Sequence, residues 1–254
     1  MRFFLGTHQV CWLERTSVPL FVSHRRLHER RRFPRATADW CLDSGGFTEL
    51  SMHGEWRTTA RQYADKARLY QQEIGRLVWA SPQDWMCEPS IREQTQLTVV
   101  DHQQRTIDSY LDLQGLAPDV PWVPVLQGWG AADYLRHVGM YSRRGIDLAQ
   151  LPVVGVGTVC RRQATAEGIG IIRALAQLGL GLHAFGFKQR GLASAADCLV
   201  SADSMAWSFR ARRSPPLPGC PHATCASCMK YALQWRERLL GHLGQAPAQL
   251  DLFA

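Results

Sequence analysis

The feature that most constrains the fold is a repeated alternation of short apolar runs with longer segments in which apolar residues recur every three or four positions. The runs are rich in β-branched and aromatic residues and predict eight strands, at residues 2–5, 20–22, 40–42, 77–80, 122–126, 153–156, 182–185 and 199–201. The segments between them predict helices at residues 58–74, 91–113, 131–142 and 164–178. Strands that alternate with helices form parallel sheets. The sequence therefore favours an α/β fold, a (β/α)8 TIM-type barrel, with an open doubly wound sheet as the alternative.

Polar residues and glycines follow most of these strands closely. In chain order they are Asp43, Ser44, Asp84, Gln127, Gly128, Gly157, Gly186 and Asp203. Taken singly, each has a plainer explanation as a helix cap or a turn residue. In a barrel, however, all of them converge on the mouth formed by the carboxyl ends of the strands, where active sites lie. The sequence thus predicts a cleft lined by carboxylates, an amide and glycines.

The chain from residue 214 onward changes character and carries a cysteine-histidine cluster. Its four potential metal ligands lie within nine residues: Cys220, His222, Cys225 and Cys228. This spacing predicts a structural, tetrahedral zinc site. His242 is the alternative to His222, but a straight helix would place it roughly 21 Å beyond the last cysteine. We accordingly divide the chain into a barrel at 1–213 and a small zinc-binding subdomain at 214–254, in which the knuckle and a C-terminal helix pack on the barrel.

The charge balance favours a polyanionic partner. Lysine and arginine total 29 against 22 acidic residues, which gives a net charge of +7. Basic residues cluster at 24–36 and 209–213, where a phosphate backbone could lie. An arginine-rich composition with solvated basic faces is the alternative explanation.

The composition also bears on the cellular compartment. With 46% hydrophobic residues the chain is globular rather than disordered. Its most apolar stretch, 169–187, is interrupted by polar residues, and the apolar start at 1–6 is too short for a signal peptide. The cysteines resemble free thiols plus a metal knuckle more than a disulfide framework. We expect a cytoplasmic protein with no membrane partner.

Several motifs in a fixed order carry a resemblance to a known family. They are Asp-Ser-Gly-Gly-Phe at 43–47, Val-Leu-Gln-Gly at 125–128, Phe-Gly at 185–186 and Ser-Ala-Asp-Ser at 201–204, ahead of the cysteine knuckle. This arrangement resembles the tRNA-guanine transglycosylases over roughly residues 40–231. With Leu-Gly-Thr-His at 5–8, the chain looks closest to the 7-deazaguanine DNA-modification transglycosylases of bacteria and phages.

The resemblance implies a (β/α)8 barrel with a zinc subdomain that exchanges guanine in a polynucleotide for a free 7-deazaguanine base, 7-cyano-7-deazaguanine or a relative. It implies Asp203 as the nucleophile that forms a covalent glycosyl-aspartate, and Asp43 as the general acid/base. The implied base-binding residues are Ser44, Phe47, Asp84, Gln127, Gly128, Gly157, Phe185 and Gly186. Of these, Asp84 and Gln127 would read the base, Gly157 would offer backbone contacts, and the two phenylalanines would sandwich the ring.

Elementary chemistry agrees with these roles. Cleavage of an N-glycosidic bond passes through an oxocarbenium-like state, which a carboxylate such as Asp203 can stabilise and trap. Guanine presents adjacent N1–H and N2–H donors that match the two oxygens of Asp84, while the Gln127 amide can donate to O6. A nucleotide that leaves its stack can regain stacking on Phe47 and Phe185. Packing in the barrel core is the alternative role for both rings.

The shared motifs do not decide which polynucleotide is the substrate. Thr48 stands where the family usually has glutamine, and the zinc histidine of the tRNA enzymes lies further downstream than here, so we favour DNA over tRNA. The competing hypotheses are the same exchange on tRNA, a non-catalytic nucleic-acid-binding subunit, and a hydrolase that removes a base. The oligomeric state stays open, with a homodimer as one option.

Overall fold

The computed structural model describes residues 1–244, and its strands form one parallel sheet. All eight predicted strands are confirmed to within a few residues: β1 Arg2–Thr7, β2 Leu20–Ser23, β3 Trp40–Asp43, β4 Leu77–Ala80, β5 Val125–Leu126, β6 Val154–Val156, β7 Leu182–Ala184 and β8 Leu199–Ser204. The largest differences are at β8, which ends later than predicted, and at β5, which begins later because Trp122 makes only an isolated bridge to Ala80.

Helices connect most of the strands. They are α1 Gly46–His53, α2 Ala60–Ile74, α3 Pro89–Thr95, α4 Val99–Leu116, α5 Ala131–Arg143, α6 Ala166–Ala176, α7 Gln189–Ala195, α8 Ala206–Ala211 and α9 Met229–Gly244. The single helix predicted at 91–113 is wrong, because α3 ends at Thr95 and the next residue, Gln96, has a φ of 57°. Thr98 then caps α4 by accepting a hydrogen bond from the Asp101 amide. The short helices α1, α7 and α8 are absent from the sequence prediction.

The strand order is β4-β3-β2-β1-β8-β7-β6-β5. The first and last strands are neighbours, since Arg2 to Leu5 pair with Ser201 to Ser204. The chain therefore steps from strand to adjacent strand on both sides of β1, and the result is an eight-stranded parallel half-barrel. Closure into a full barrel stays a prediction.

A layer of aromatic and apolar side chains fills the concave side of the sheet. Phe4, Phe21, Cys41, Trp79 and Val123 form this buried cluster, which is separate from the main core between the strands and helices. Because side chains alternate along a strand, residues two positions further along point to the same side. This register places Ser23 above Phe21 and Asp43 above Cys41, at the carboxyl ends of the strands.

The C-terminal segment packs against the start of the chain. The Trp235 ring of α9 lies 6.1 Å from the Phe3 ring, and the Ser227 hydroxyl lies 2.9 Å from His8 Nε2. The boundary between residues 213 and 214 stays a prediction, and residues 245–254 of the predicted subdomain lie outside the described residues. Within residues 1–244, no helix has both the length and the apolar character needed to cross a membrane.

Candidate active site

A cavity of about 270 Å³ opens where the strands end. This volume is close to the lower bound of small-molecule pockets, about 300 Å³. The predicted site residues that line it are Asp43, Phe47, Asp84, Gln127, Gly157, Phe185, Gly186 and Asp203. The structure therefore brings together side chains that are spread over 160 positions of the sequence, as the strand register predicts.

Asp43 ends β3 and faces this cavity. Burial raises the pKa of Asp43 to about 6, and the charge of Asp203 acts in the same direction. Hydrogen bonds from the Ser23 hydroxyl and the Gly45 amide oppose this rise. Gly45 has a φ of 83°, which only glycine adopts readily, so the turn that holds its amide toward Asp43 depends on this residue. A carboxyl group with a pKa near 6 can both give and take a proton close to neutral pH.

Asp203 lies near the end of β8, and one of its oxygens is held by a hydrogen bond from the backbone. Its Oδ1 accepts a hydrogen bond of 2.8 Å from the Gly186 amide and lies 3.4 Å from His183 Nε2. His183 is fully buried, and its Nδ1 lies 2.8 Å from the Ser201 hydroxyl. Within residues 1–244 these contacts leave Oδ2 of Asp203 without a hydrogen-bond partner. Fixing one oxygen in this way suits the other for nucleophilic attack.

His183 escaped the sequence analysis. A histidine inside an apolar run is most simply explained as a core residue, and its ring does pack among Phe21, Trp79 and Phe185. Only the register of β7 against β8, which pairs His183 with Ser201, places it beneath Asp203.

Asp84 is the most strongly hydrogen-bonded of the three predicted carboxylates. Its Oδ1 accepts from Ser44 Oγ at 3.2 Å and its Oδ2 accepts from Gln127 Nε2 at 2.6 Å. Burial, followed by the charge of Asp43, raises the pKa of Asp84 to about 7. One hydrogen of the Gln127 amide is thus given to Asp84, and the predicted donation of the other to a base stays a prediction.

Gln127 reaches Asp84 because Gly157 leaves room for it. A Cβ on Gly157 would lie 2.1 Å from Gln127 Nε2, so a larger residue would displace the Gln127 amide from its place beside Asp84. The Gly157 amide donates to Leu126 O, and its carbonyl accepts from the Tyr134 hydroxyl at 2.7 Å. Gly157 therefore leaves space for the Gln127 side chain, and its own backbone is hydrogen-bonded within the protein.

Two further predicted residues do not line the cavity. Ser44 lies behind Asp84 and orients it. Gly128 packs instead against the first turn of α5, where a Cβ would lie 2.8 Å from Asp133 Cβ and 2.9 Å from the Tyr134 ring. Gly128 thus packs against a helix outside the lining of the cavity, and its contact with a base stays a prediction.

The two phenylalanines that line the cavity, Phe47 and Phe185, differ in their exposure to solvent. Phe47 is 40% exposed at the rim, and the Arg161 guanidinium lies 4.9 Å from its ring centroid. Phe185 is half-buried and continues the aromatic layer, with its ring 6.0 Å from that of Phe21. One ring is therefore accessible from solvent and the other is anchored.

Glu88 is a fourth carboxyl group in the cavity that the sequence analysis missed. It is 6% exposed, and its Oε2 lies 3.1 Å from Thr158 Oγ1. Burial raises the pKa of Glu88. The signal that could have revealed it is its position four residues after Asp84, in the same segment beyond β4.

The predicted metal ligands of the C-terminal segment also meet. One sulfur each from Cys220, Cys225 and Cys228 and a ring nitrogen of His222 all lie within 4.8 Å of one another. Zinc–sulfur bonds of about 2.3 Å give comparable ligand separations, so this Cys3His cluster fits a tetrahedral zinc ion. His242 lies outside the cluster, and its Nδ1 contacts Arg238 O within α9.

The structure has a pocket lined by carboxyl groups at the carboxyl ends of an eight-stranded parallel sheet. This is the class of α/β protein that the sequence motifs predict. Over residues 1–249 the chain matches the family DpdA, described as DeoxyPurine in DNA protein A. The chain belongs to this family, the 7-deazaguanine DNA-modification transglycosylases, and the resemblance read from its motifs is confirmed. No individual curated protein matches the chain.

Proposed function

We propose that this protein exchanges guanine in DNA for a free 7-deazaguanine base, 7-cyano-7-deazaguanine or a relative, with Asp203 as nucleophile. The observation that carries this proposal is that Asp43 and Asp203 line one cavity at the carboxyl ends of the strands. Membership of a family that modifies DNA supports the choice of polymer.

In the first half-reaction an oxygen of Asp203 attacks C1′ of the flipped deoxyguanosine. The C1′–N9 bond breaks, its electron pair stays on the guanine, and protonated Asp43 supplies the proton that neutralises the leaving base. A pKa of about 6 leaves a useful fraction of Asp43 protonated near neutral pH. The deoxyribose is then held as a glycosyl ester of Asp203, as in retaining glycosidases.

In the second half-reaction the incoming base gives its N9 proton to ionised Asp43. N9 attacks C1′, the bond to Asp203 breaks, and the carboxylate is restored. Proton count and charge therefore return to their starting values, and no water is consumed.

The buried network around Asp84 would distinguish the base. Its two oxygens face donors in the protein and can accept further hydrogen bonds from N1–H and N2–H of the purine, which guanine and 7-deazaguanine share. A pocket that holds both bases in turn must read this common edge.

The DNA strand would lie across the rim of the pocket. Arg161 stacked on the exposed Phe47 places a cation and an aromatic face beside the opening. Together with the net charge of +7, this suits a phosphate backbone next to an unstacked base.

The remaining parts of the proposal concern architecture. The parallel bridge between Ala80 and Trp122, at the two outer strands of the sheet, supports closure into a full (β/α)8 barrel. We assign zinc to the Cys3His cluster as a structural ion, because four protein ligands leave no open position for catalysis. None of the eight cysteines, all within the described residues, forms a disulfide, which supports a reducing, cytoplasmic setting.

The decisive experiment supplies the protein with labelled guanine and, in parallel, duplex DNA, single-stranded DNA or tRNA. We expect label to enter DNA and unlabelled guanine to be released in equal amount. Label in tRNA alone would refute DNA as the substrate. Release of guanine without incorporation would identify a hydrolase instead.

A further inference from the structure

His183 has a buried ring nitrogen that faces Asp203 and lacks a hydrogen-bond partner. The side chain is completely buried. The aromatic rings around it are those of Phe4, Phe21, Trp79 and Phe185. Its Nε2 lies 3.4 Å from Asp203 Oδ1 without forming a hydrogen bond, and nothing else within residues 1–244 pairs with it. A buried nitrogen without a partner costs free energy that a phenylalanine in the same surroundings would avoid, so packing alone does not explain this histidine.

The contact on the other side of the ring indicates which nitrogen carries a hydrogen. His183 Nδ1 lies 2.8 Å from the Ser201 hydroxyl, which can either donate or accept. A hydrogen on Nδ1 alone would leave the Nε2 lone pair facing a carboxylate oxygen, which is repulsive. With the hydrogen on Nε2, Ser201 donates to Nδ1 and an N–H group faces Asp203. A doubly protonated ring also carries a hydrogen on Nε2, so this atom is a donor in both arrangements that suit the carboxylate.

The pairing of β7 with β8 aims this ring at Asp203. His183 pairs with Ser201, and Asp203 lies two positions further along β8, on the same side of the sheet. The register of the pairing shifts between Leu182 and His183. Such irregularities redirect a side chain and are frequent beside active sites. Strand geometry therefore places Ser201, the imidazole ring and the Asp203 carboxylate in one row.

An N–H group in this place acts differently on the two states of Asp203. In the free carboxylate, Oδ1 shares the negative charge and accepts hydrogen bonds strongly. In a glycosyl ester formed through Oδ2, Oδ1 is a neutral carbonyl oxygen and accepts more weakly. The Gly186 amide already donates to Oδ1, and a small shortening of the contact with His183 Nε2 would add a second donor. The second donor favours the carboxylate over the ester.

We propose that His183 is a positioning residue for the second half-reaction, which acts on Asp203 through its Nε2–H group. This inference rests on the proposed function, because it takes the glycosyl ester of Asp203 from it. When N9 of the incoming base attacks C1′, the electron pair of the C1′–Oδ2 bond returns to the carboxylate, and the hydrogen bond from His183 to Oδ1 strengthens. His183 keeps its hydrogen throughout, so the proton count of the exchange is unchanged.

The first measurement needs neither DNA nor a base. Nitrogen NMR of the protein with isotope-labelled histidine identifies the ring nitrogen that carries a hydrogen. The signals that disappear in His183→Gln belong to His183. We expect a hydrogen on Nε2, and a hydrogen on Nδ1 alone would overturn the proposal whether or not the protein exchanges bases.

The second measurement follows the covalent intermediate in the whole protein. A labelled DNA strand that contains guanine is brought to equilibrium with the protein at a fixed concentration of free guanine, and a denaturing gel separates the protein–DNA adduct. We expect His183→Phe, which suits the aromatic surroundings but has no donor, to raise the ratio of adduct to non-covalent complex by about tenfold or more. The kcat for exchange should fall in the same variant, because the ester breaks more slowly.

Two variants serve as comparisons. His183→Gln keeps an N–H group, so its adduct ratio should stay within about threefold of wild type. His53→Phe is the matched control, because it replaces a histidine of α1 outside the lining of the cavity. Its adduct ratio and kcat should equal those of the wild-type protein.

A purely structural role for His183 would move the adduct ratio in the opposite direction, because a displaced Asp203 forms less ester. An unchanged or lower ratio in His183→Phe would overturn the proposal, and so would a His183→Gln variant that behaves like His183→Phe. Thermal melting detects a folding defect, and His183→Leu then replaces a His183→Phe protein that does not fold. Failure of the wild-type protein to incorporate labelled guanine into DNA would refute the proposed function, whereas normal incorporation with an unchanged adduct ratio would refute only the role of His183.

Discussion

The pocket and the Cys3His cluster are built in opposite ways. The four cluster residues lie within nine positions of the sequence, whereas Asp43 and Asp203 are 160 positions apart and meet only through the sheet. A local site depends on turn geometry and on the ion that it binds. A dispersed site depends on strand order and register, so changes at one site should affect measurements that the other leaves untouched.

The largest effect is expected from Asp203→Ala. Loss of the nucleophile should reduce base exchange on the order of 10⁴-fold or more, because the covalent route is removed. Labelled guanine incorporation measures this loss, and thermal melting and metal content should match the wild-type protein. Residual exchange within tenfold of wild type would contradict the assignment of Asp203.

Cys225→Ser should affect mainly the other site. Cys225 is fully buried, and its sulfur accepts a hydrogen bond from the Leu217 amide at 3.3 Å. Loss of this ligand should release zinc and lower the melting temperature, because a structural zinc ion contributes its binding energy to folding. Cys198→Ser, at a half-buried cysteine outside the cluster, is the control. Equal zinc content and melting temperature in both variants would show that the cluster is not a structural metal site.

Asp43→Asn should lower exchange by about 10²- to 10⁴-fold, the range typical of general acid/base groups. Since the amide cannot transfer the proton, the part of the pH–rate profile that depends on a pKa near 6 should disappear. A profile identical in shape to that of the wild-type protein would assign the acid/base role elsewhere.

The same variant has a smaller consequence for stability. The folded protein raises the pKa of Asp43 from 3.8 to about 6, so folding favours the protonated form. The contribution of Asp43 is therefore fully present below about pH 4 and is lost as the pH rises to about 6. The melting temperature of Asp43→Asn relative to wild type should thus rise across this window by roughly 5–9 °C, because raising the pKa from 3.8 to about 6 corresponds to about 3 kcal/mol in full. A constant difference between pH 4 and 6.5 would argue against a raised pKa.

Much of the fold and part of the site follow from sequence alone, for reasons that differ between elements. Strand positions are predictable because buried parallel strands are short apolar runs. Asp43 and Asp203 line the same cavity because both lie at the carboxyl ends of parallel strands. The break between α3 and α4 is not predictable from the sequence, because Gln96 adopts a left-handed conformation that glutamine does not favour.

The features of the site that the sequence did not predict were missed for physical reasons too. Glu88 lies in an irregular segment after β4, where no periodicity indicates the direction of a side chain. The hydrogen bond from Gln127 to Asp84 depends on the space that Gly157 leaves, which only coordinates reveal. Likewise, the close packing of Gly128 against α5 has no signal in the sequence.

The pairing of β1 with β8 has a consequence for synthesis on the ribosome. The nascent chain exposes one edge of β1 until nearly 200 further residues have been translated, because its second neighbour is the last strand. Contacts of such long sequence separation form late, and an open strand edge can pair with other chains in the meantime. Since Asp203 lies on that final strand, a truncated translation product would have most of the sheet but would lack the proposed nucleophile.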